Sequence, residues 1–218
     1  MAGAKTGPDQ SQQADHQETV EPDSGAQDNP SDDCSELVRM LDEQQCCLVV
    51  VDVQGKLAQL MHGREALFKN IQILIQAAKI LDIPILWAQQ CPAALGPTVG
   101  EIAELLTGHE PINKSAFSCC GDETFNTRLN KLSRRQVLLC GIETHVCIYQ
   151  TAVDLLRKGF AVDVPADAVS SRTPENKQIA LQRMAAEGAN IGSVEMALFE
   201  LLRTAAHPKF RQIAKLIK

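Results

Sequence analysis

Three side chains that could act together in nucleophilic catalysis stand at the ends of predicted strands. Asp52 ends a buried apolar run, Lys114 ends a shorter one, and Cys147 lies one turn into a helix that follows a third. A thiol at a helix start is close to free backbone N–H groups and to the positive end of the helix dipole, which favours its thiolate. An ammonium group would stabilise that thiolate, and a carboxylate would accept the thiol proton. The set predicts attack by Cys147 on a carbonyl or imine carbon.

Each of these residue types has a common structural role when it stands alone. An aspartate after a strand most often caps a helix, a loop lysine is usually a solvated charge, and a helical cysteine is usually packing material. Their shared position favours catalysis, because parallel sheets bind ligands beyond the carboxyl ends of their strands.

The elements that would position these side chains alternate between strand and helix. Apolar runs predict strands over 47–51, 85–88, 111–114, 136–140, 160–164 and 190–191. Three- and four-residue apolar spacing predicts helices around 67–81, 102–106, 124–132, 144–158 and from 173 onward, with two more closing the chain. Two prolines and two glycines predict a loop over 91–100. This order predicts an α/β fold, a three-layer α/β/α sandwich around a six-stranded parallel sheet of Rossmann-like type.

The first 33 residues differ in composition from the rest of the chain. They hold eight of the 27 acidic residues and one of the 21 basic residues, and Val20 is their only branched aliphatic residue. Such a segment buries too little apolar surface to offset the entropy of ordering. We therefore predict a disordered acidic tail over 1–33 and one folded domain over 34–218.

Composition also bears on partners and location. Outside the tail the chain has 19 acidic and 20 basic residues, so no basic face is predicted and nucleic acid is not an expected partner. No apolar run reaches transmembrane length, and no signal-peptide core is visible. We predict no membrane partner and a cytoplasmic location.

The eight cysteines stand at 34, 46, 47, 91, 119, 120, 140 and 147. The chain is long enough to fold around an apolar core, and it holds no Cys-x-x-Cys pair or Cys/His cluster at zinc spacing. We therefore predict free thiols and no metal. No glycine-rich phosphate loop is present, so no cofactor is predicted.

Four motifs stand in the order found in one known family. They are Val50–Gln54, Asn113–Phe117, Gly141–Asp154 and Asp167–Arg172. Together they resemble the isochorismatase-like cysteine hydrolase superfamily, and within it the isochorismatase domain-containing subgroup, over about residues 45–215. The resemblance implies a catalytic triad of Asp52, Lys114 and Cys147, a six-stranded parallel sheet, a small-molecule substrate and assembly as a homo-oligomer.

The resemblance also implies a cis peptide bond between Ile142 and Glu143, and an oxyanion hole formed by the N–H groups of Glu143 and Cys147. The residues themselves raise an alternative. Thr144 as the helix N-cap would use its hydroxyl to accept the Cys147 N–H. Two orientations are also open for the Glu143 side chain. Either it lines the pocket, where it would disfavour anionic substrates, or it turns outward.

Four more side chains are predicted to contact substrate: Gln54, Phe117, Thr144 and His145. For His145 a solvent-facing position is the common alternative. Nicotinamidases of this superfamily carry an Asp-x-His metal pair after the second strand, whereas residues 89–94 hold no histidine. We therefore predict no metal and no nicotinamidase activity.

The prediction for function is a cofactor-free hydrolase that cleaves a small amide, ester or related C–N or C–O substrate through a thiol-acyl intermediate. The cysteine of the superfamily motif is present here as Cys147, which favours acyl or amidine-type chemistry over vinyl-ether hydrolysis. Two other classes stay open: a non-catalytic binding or regulatory protein on the same fold, and a redox-responsive thiol protein.

Overall fold

Seven parallel strands form the sheet, one more than the sequence predicts. The computed structural model describes residue 3 and residues 40–218, so the predicted tail and its boundary at residue 34 lie outside the described residues. The strands are β1 (Cys46–Val51), β2 (Ile85–Gln90), β3 (Ile112–Lys114), β4 (Gln136–Ile142), β5 (Ala161–Pro165), β6 (Val169–Ser170) and β7 (Asn190–Gly192). The missed strand is β6, whose two residues are too few for an apolar run to reveal.

The helices are α1 (Gly55–Gln59), α2 (Arg64–Ile80), α3 (Pro92–Leu95), α4 (Gly100–Ala103), α5 (Glu123–Lys131), α6 (Tyr149–Arg157), α7 (Pro174–Ala186), α8 (Val194–Leu202) and α9 (Phe210–Leu216). The loop predicted over 91–100 is wrong in part, because α3 occupies it. Pro92 is the first residue of that helix, where its fixed φ suits a helix and its missing N–H is not needed.

Two apolar clusters, one on each face of the sheet, produce the three layers. In β1, Cys46, Leu48 and Val50 pack against α2, α8 and α9. The alternate residues Cys47 and Val49 pack with the cluster that holds α5, α6 and α7. All six residues of β1 are buried, as expected for a central strand covered on both faces.

The order of the strands is β3-β2-β1-β4-β5-β7, with β6 paired to β4. The chain builds outward from β1 to β2 and β3, then returns to β4 on the other side. The boundary between β1 and β4 is therefore the switch point at which such sheets bind ligands. The α/β class and the three-layer arrangement predicted from the sequence are confirmed.

Gly141 lets β4 approach β1 closely at this point. It is in register with Val51 and has a φ of 122°. A side chain at Gly141 would collide with the Val51 carbonyl oxygen. Glycine is therefore required where the two strands deliver Asp52 and the segment that leads to Cys147.

Within residues 40–218, no helix combines the length and the apolar character needed to cross a membrane.

Candidate active site

Asp52 follows the last residue of β1 and turns the chain away from the sheet. Its backbone is left-handed, with a φ of 55°, which is uncommon for a residue with a side chain but tolerated by aspartate. Its N–H donates to the carbonyl oxygen of Ala88 in β2 at 3.1 Å. The residue is 2% exposed, so its carboxylate needs partners from the protein.

Lys114, the last residue of β3, supplies the main partner. Its Nζ donates to Asp52 Oδ2 at 2.7 Å and to Gln90 Oε1 at 2.7 Å. The carbonyl oxygens of Ala116 and Phe117 lie 3.3 Å and 3.0 Å from the same nitrogen. The ammonium is 0% exposed and forms a buried ion pair, held in one position by four acceptors.

The ionisation of this pair follows from burial and mutual attraction. Burial acts to lower the pKa of Lys114, but the charge and hydrogen bond of Asp52 together with the Cys119 and Cys147 sulfurs act against it, and the net pKa is raised. Burial raises the pKa of Asp52, and the ion pair with Lys114 offsets this only in part. Lys114 is thus a permanent ammonium, whereas Asp52 is a stronger base than an ordinary aspartate.

Cys147 lies beside this pair in a neutral form. Burial raises the pKa of its thiol, and the Asp52 carboxylate raises it further, while Lys114 opposes them. This direction is opposite to the thiolate expected from the sequence. The reason is that the helix start is packed into an apolar cluster and that an anion lies next to the sulfur. The thiol is therefore protonated, and the Asp52 carboxylate is the base beside it.

The turn that carries Cys147 differs from the predicted helix start. Residues Thr144–Ile148 form a π-helical turn ahead of α6, and the Thr144 hydroxyl is buried without a hydrogen-bond partner among the described residues. The predicted Thr144 cap on Cys147 is therefore wrong. The Glu143 carbonyl accepts from the N–H groups of Val146 and Ile148 but not from that of Cys147. The Ile142–Glu143 bond is cis, as the resemblance implies.

A cavity of about 100 Å³ opens onto Asp52 and Cys147. Its lining combines four polar residues with five apolar ones: Asp52, Gln90, Glu143, Cys147, Leu57, Leu95, Phe117, Ile142 and Val146. Asp52 and Cys147 thus face one cavity at the switch point of the sheet, and Lys114 lies directly behind Asp52.

The predicted substrate contacts divide into two groups. Phe117 lines the cavity and is 53% exposed, which places it at the mouth. Gln54, Thr144 and His145 do not line it. Gln54 is fully buried and exchanges hydrogen bonds with the backbone of Gln90 at the end of β2. His145 Nδ1 lies 2.9 Å from Ser171 Oγ instead.

Two residues of the site were missed in the sequence. Gln90 falls at the end of β2, in register with Lys114, and two polar glutamines at the end of an apolar strand were the available signal. Arg172 belongs to the fourth motif. Its backbone N–H and its Nε donate to Glu143 Oε1 at 3.1 Å and 3.0 Å. The Glu143 carboxylate therefore turns to Arg172, although the residue also lines the cavity.

Among residues 40–218, no group of three or more histidine, cysteine or acidic side chains is arranged to hold a metal ion. The predicted absence of a metal stays a prediction.

Comparison with known proteins places this chain in a family. The model of the isochorismatase domain matches residues 46–196, the stretch that contains Asp52, Lys114 and Cys147. The chain belongs to the isochorismatase family. Members of this family are hydrolases, and the chain is a hydrolase of the isochorismatase-like type.

Relatives support the subgroup as well as the family. The secreted isochorismatase effector Isc1 of Phytophthora sojae is 41% identical over 175 residues, which cover 78% of this chain and 83% of that protein. Isochorismatase domain-containing protein 2A of Mus musculus is 42% identical over 146 residues, covering 66% and 69%. The resemblance to the isochorismatase domain-containing subgroup is confirmed. Because one relative is named as secreted, a cytoplasmic location stays a prediction for this chain.

The fold also matches a solved structure. The MAR1 ribonuclease from Caenorhabditis elegans has a TM-score of 0.78 and 36% sequence identity, and the match covers 82% of this chain and 92% of that one. The isochorismatase-like fold expected from the motifs is thereby confirmed.

Proposed function

We propose that this isochorismatase-family chain is a cofactor-free cysteine hydrolase that cleaves a small amide, ester or related carbonyl-type substrate. Asp52, Lys114 and Cys147 form its catalytic triad. The observation that supports this is the buried ion pair between Lys114 and Asp52, 2.7 Å long, beside a thiol on the wall of one cavity. A buried ion pair of this kind is a poor way to stabilise a fold, but it suits a base that must be held in place.

In the first half of the reaction, the Cys147 sulfur attacks the substrate carbonyl carbon while Asp52 takes the thiol proton. The tetrahedral oxyanion collapses, the bond to the leaving group breaks, and Asp52 returns the proton to the departing amine or alcohol. The product of this half is a thioester on Cys147. Lys114 keeps the ammonium charge throughout and orients the carboxylate.

In the second half, Asp52 takes a proton from water as the water oxygen attacks the thioester carbonyl. The carbon–sulfur bond breaks, the carboxylic acid leaves, and the proton on Asp52 returns to the Cys147 sulfur. The sum is hydrolysis, with no net oxidation and no co-reactant besides water.

The developing oxyanion is assigned to the N–H groups of Glu143 and Cys147. The Cys147 N–H is accepted neither by the Thr144 hydroxyl nor by the Glu143 carbonyl, which supports this part of the proposal. Backbone donors aimed at an oxyanion are among the larger single contributions to acyl-transfer catalysis.

Acyl transfer to Cys147 from p-nitrophenyl butyrate provides the test. We expect a burst of p-nitrophenolate and a butyryl group located on Cys147 by peptide mass spectrometry. Cys147→Ser should remove that label, and Lys114→Met should slow labelling by about 100-fold because Asp52 loses its orienting partner. Cys120→Ser is the matched control: this half-buried thiol is outside the cavity lining, so labelling of Cys147 should not change.

If Cys147 is labelled no faster than Cys120, the proposal is contradicted and a binding protein on the same fold is favoured. Disulfide formation without acyl transfer would favour the redox-responsive alternative.

An RNA oligonucleotide belongs in the same panel because a structural relative is named as a ribonuclease. We expect it to stay intact, since the cavity of about 100 Å³ is smaller than ordinary ligand pockets of about 300–1,000 Å³. Assembly as a homo-oligomer stays a prediction.

A further inference from the structure

We propose that the cavity accepts short, uncharged acyl groups and that the Glu143–Arg172 ion pair sets this selectivity, an inference that rests on the proposed cysteine hydrolase function. Its substrate class would be aliphatic amides or esters whose acyl part carries neither a carboxylate nor an ammonium group.

The cation nearest to the nucleophile has no capacity left for a substrate. An ammonium group has three N–H donors, and Lys114 Nζ already meets Asp52 Oδ2, Gln90 Oε1 and two backbone carbonyl oxygens. A carboxylate on the substrate would have to break one of these contacts to be neutralised. It would otherwise lose its hydration without compensation.

The other polar side chains of the lining are engaged in the same way. Gln90 gives its Oε1 to Lys114 and its Nε2 to the Ser115 carbonyl oxygen at 2.7 Å. Glu143 Oε1 accepts two N–H groups of Arg172. A substrate ammonium group would therefore meet carboxylates whose charges are already balanced, that of Asp52 by Lys114 and that of Glu143 by Arg172, although Asp52 Oδ1 has no hydrogen-bond partner among the described residues.

The remaining lining and the volume favour a short apolar group. Leu57, Leu95, Ile142 and Val146 provide an apolar wall, with Phe117 at the mouth. A volume of about 100 Å³ compares with about 30 Å³ for one water in the liquid. An acyl chain of about four carbons is the size that such a space accommodates.

The Glu143–Arg172 pair decides the charge of one wall. The Glu143 side chain is 9% exposed and the Arg172 side chain 57% exposed, so the pair bridges the cavity wall and solvent. Removing the Arg172 side chain would leave a buried carboxylate in the wall without a cationic partner, held only by the backbone N–H of residue 172. Removing the Glu143 carboxylate would leave a guanidinium beside it. Loss of the Arg172 side chain should therefore favour cationic acyl groups, and loss of the Glu143 carboxylate should favour anionic ones.

Three p-nitrophenyl esters of nearly equal size test this: butyrate, hemisuccinate and β-alaninate, whose acyl groups are neutral, anionic and cationic. The measured quantity is the second-order rate constant for acylation of Cys147. We expect the native protein to prefer butyryl over both charged groups by about 10-fold or more. Glu143→Gln should raise the succinyl-to-butyryl ratio by about 3- to 10-fold, and Arg172→Gln should raise the β-alanyl-to-butyryl ratio similarly.

The double variant Glu143→Gln/Arg172→Gln is the matched control, because it removes both charges and should restore the native preference for butyryl. Equal rates for all three esters on the native protein would overturn the selectivity and leave the cysteine mechanism intact. Single variants that do not shift the ratios would overturn the role of the ion pair. If no ester labels Cys147, the proposed function itself fails. Because ratios are compared within each folded variant, a loss of stability does not imitate the expected shifts.

Discussion

Burial and one neighbouring charge set the chemistry of the three central residues. A cysteine at a helix start would normally gain acidity from the helix dipole. Cys147 instead lies in an apolar environment next to the Asp52 carboxylate, and both raise its pKa. The same burial raises the pKa of Asp52. In the proposed mechanism, the thiol proton therefore passes to Asp52 as the sulfur attacks, because no thiolate is present beforehand.

The pH dependence of acylation should report on Asp52. The carboxylate must be ionised to accept the thiol proton, and its pKa is raised above the ordinary 3.8. Activity should therefore be lost as pH falls through a value higher than that of a free aspartate. Lys114, whose pKa is raised above 10.5, should cause no loss in the neutral range. The measurement is the rate constant for butyrylation of Cys147 against pH.

Asp52→Asn is the matching variant, since it keeps the size of the side chain and removes the base. It should react slowly, with no acid limb. An acid limb below pH 3.8 in the native protein, or an unchanged limb in Asp52→Asn, would contradict the assignment of Asp52 as the base.

Among the elements, the pairing of β1 with β4 determines whether the site assembles. β1 delivers Asp52, and β4 leads through its cis bond into the π-helical turn that carries Cys147. The strands can come this close only because Gly141 has no side chain. The segment after β6 supports the same turn from the other side through Arg172 and Ser171.

Gly141→Ala should separate β1 from β4 and disable the site. The new methyl group would collide with Val51 backbone atoms, and the φ of 122° is unfavourable for alanine. We expect a loss of about 2–4 kcal/mol in the free energy of unfolding, measured with urea. In the fraction of Gly141→Ala that remains folded, Cys147 should be acylated more slowly than in the native protein.

Gly159→Ala separates the two effects. Gly159 also has a positive φ, of 78°, but a methyl group there would meet no atom within 4 Å. It should lose only about 1 kcal/mol and keep the native rate of acylation. Equal losses in the two variants would contradict the requirement for close approach at Gly141.

At the scale of the whole molecule, two apolar clusters stabilise the sheet, and one buried acid works against them. Asp163 in β5 lies under α8, is 8% exposed, and leaves its Oδ2 without a hydrogen-bond partner among the described residues. Burial raises its pKa from 3.8 to about 7; a hydrogen bond with Asn190 opposes this and the charge of Glu200 adds to it.

The stability of the protein should consequently fall as pH rises from 4 to 7. The folded state holds the Asp163 proton up to a pH of about 7, whereas the unfolded chain loses it near 3.8. The contribution of this proton is complete below the lower value and is lost as pH rises through the higher one. The free energy of unfolding of Asp163→Asn and of the native protein should be measured with urea at pH 5 and pH 8. The variant minus native difference should be about 2 kcal/mol larger at pH 8 than at pH 5. A constant difference between the two proteins across this range would contradict the shifted pKa.

Local sequence patterns were sufficient to predict the layout of the fold and to select three candidate residues. Apolar runs and helical spacing are local signals, so they identified most strands and helices, including the helix predicted from residue 173 onward, which is α7. Asp52, Lys114 and Cys147 could be chosen because strand ends of a parallel sheet meet at one edge, whatever the loops between them. The ordered motifs then pointed to the family.

Properties that depend on residues distant in sequence could be read only from the folded chain. The neutral thiol of Cys147 follows from packing and from a carboxylate 95 positions earlier, and no local pattern contains either. The pairing of Glu143 with Arg172, the structural use of Gln54 and the part played by Gln90 depend on which side chains meet across strands. Ionisation and hydrogen bonding are set by these contacts in space, because they depend on the burial and charge that the folded chain creates around each group.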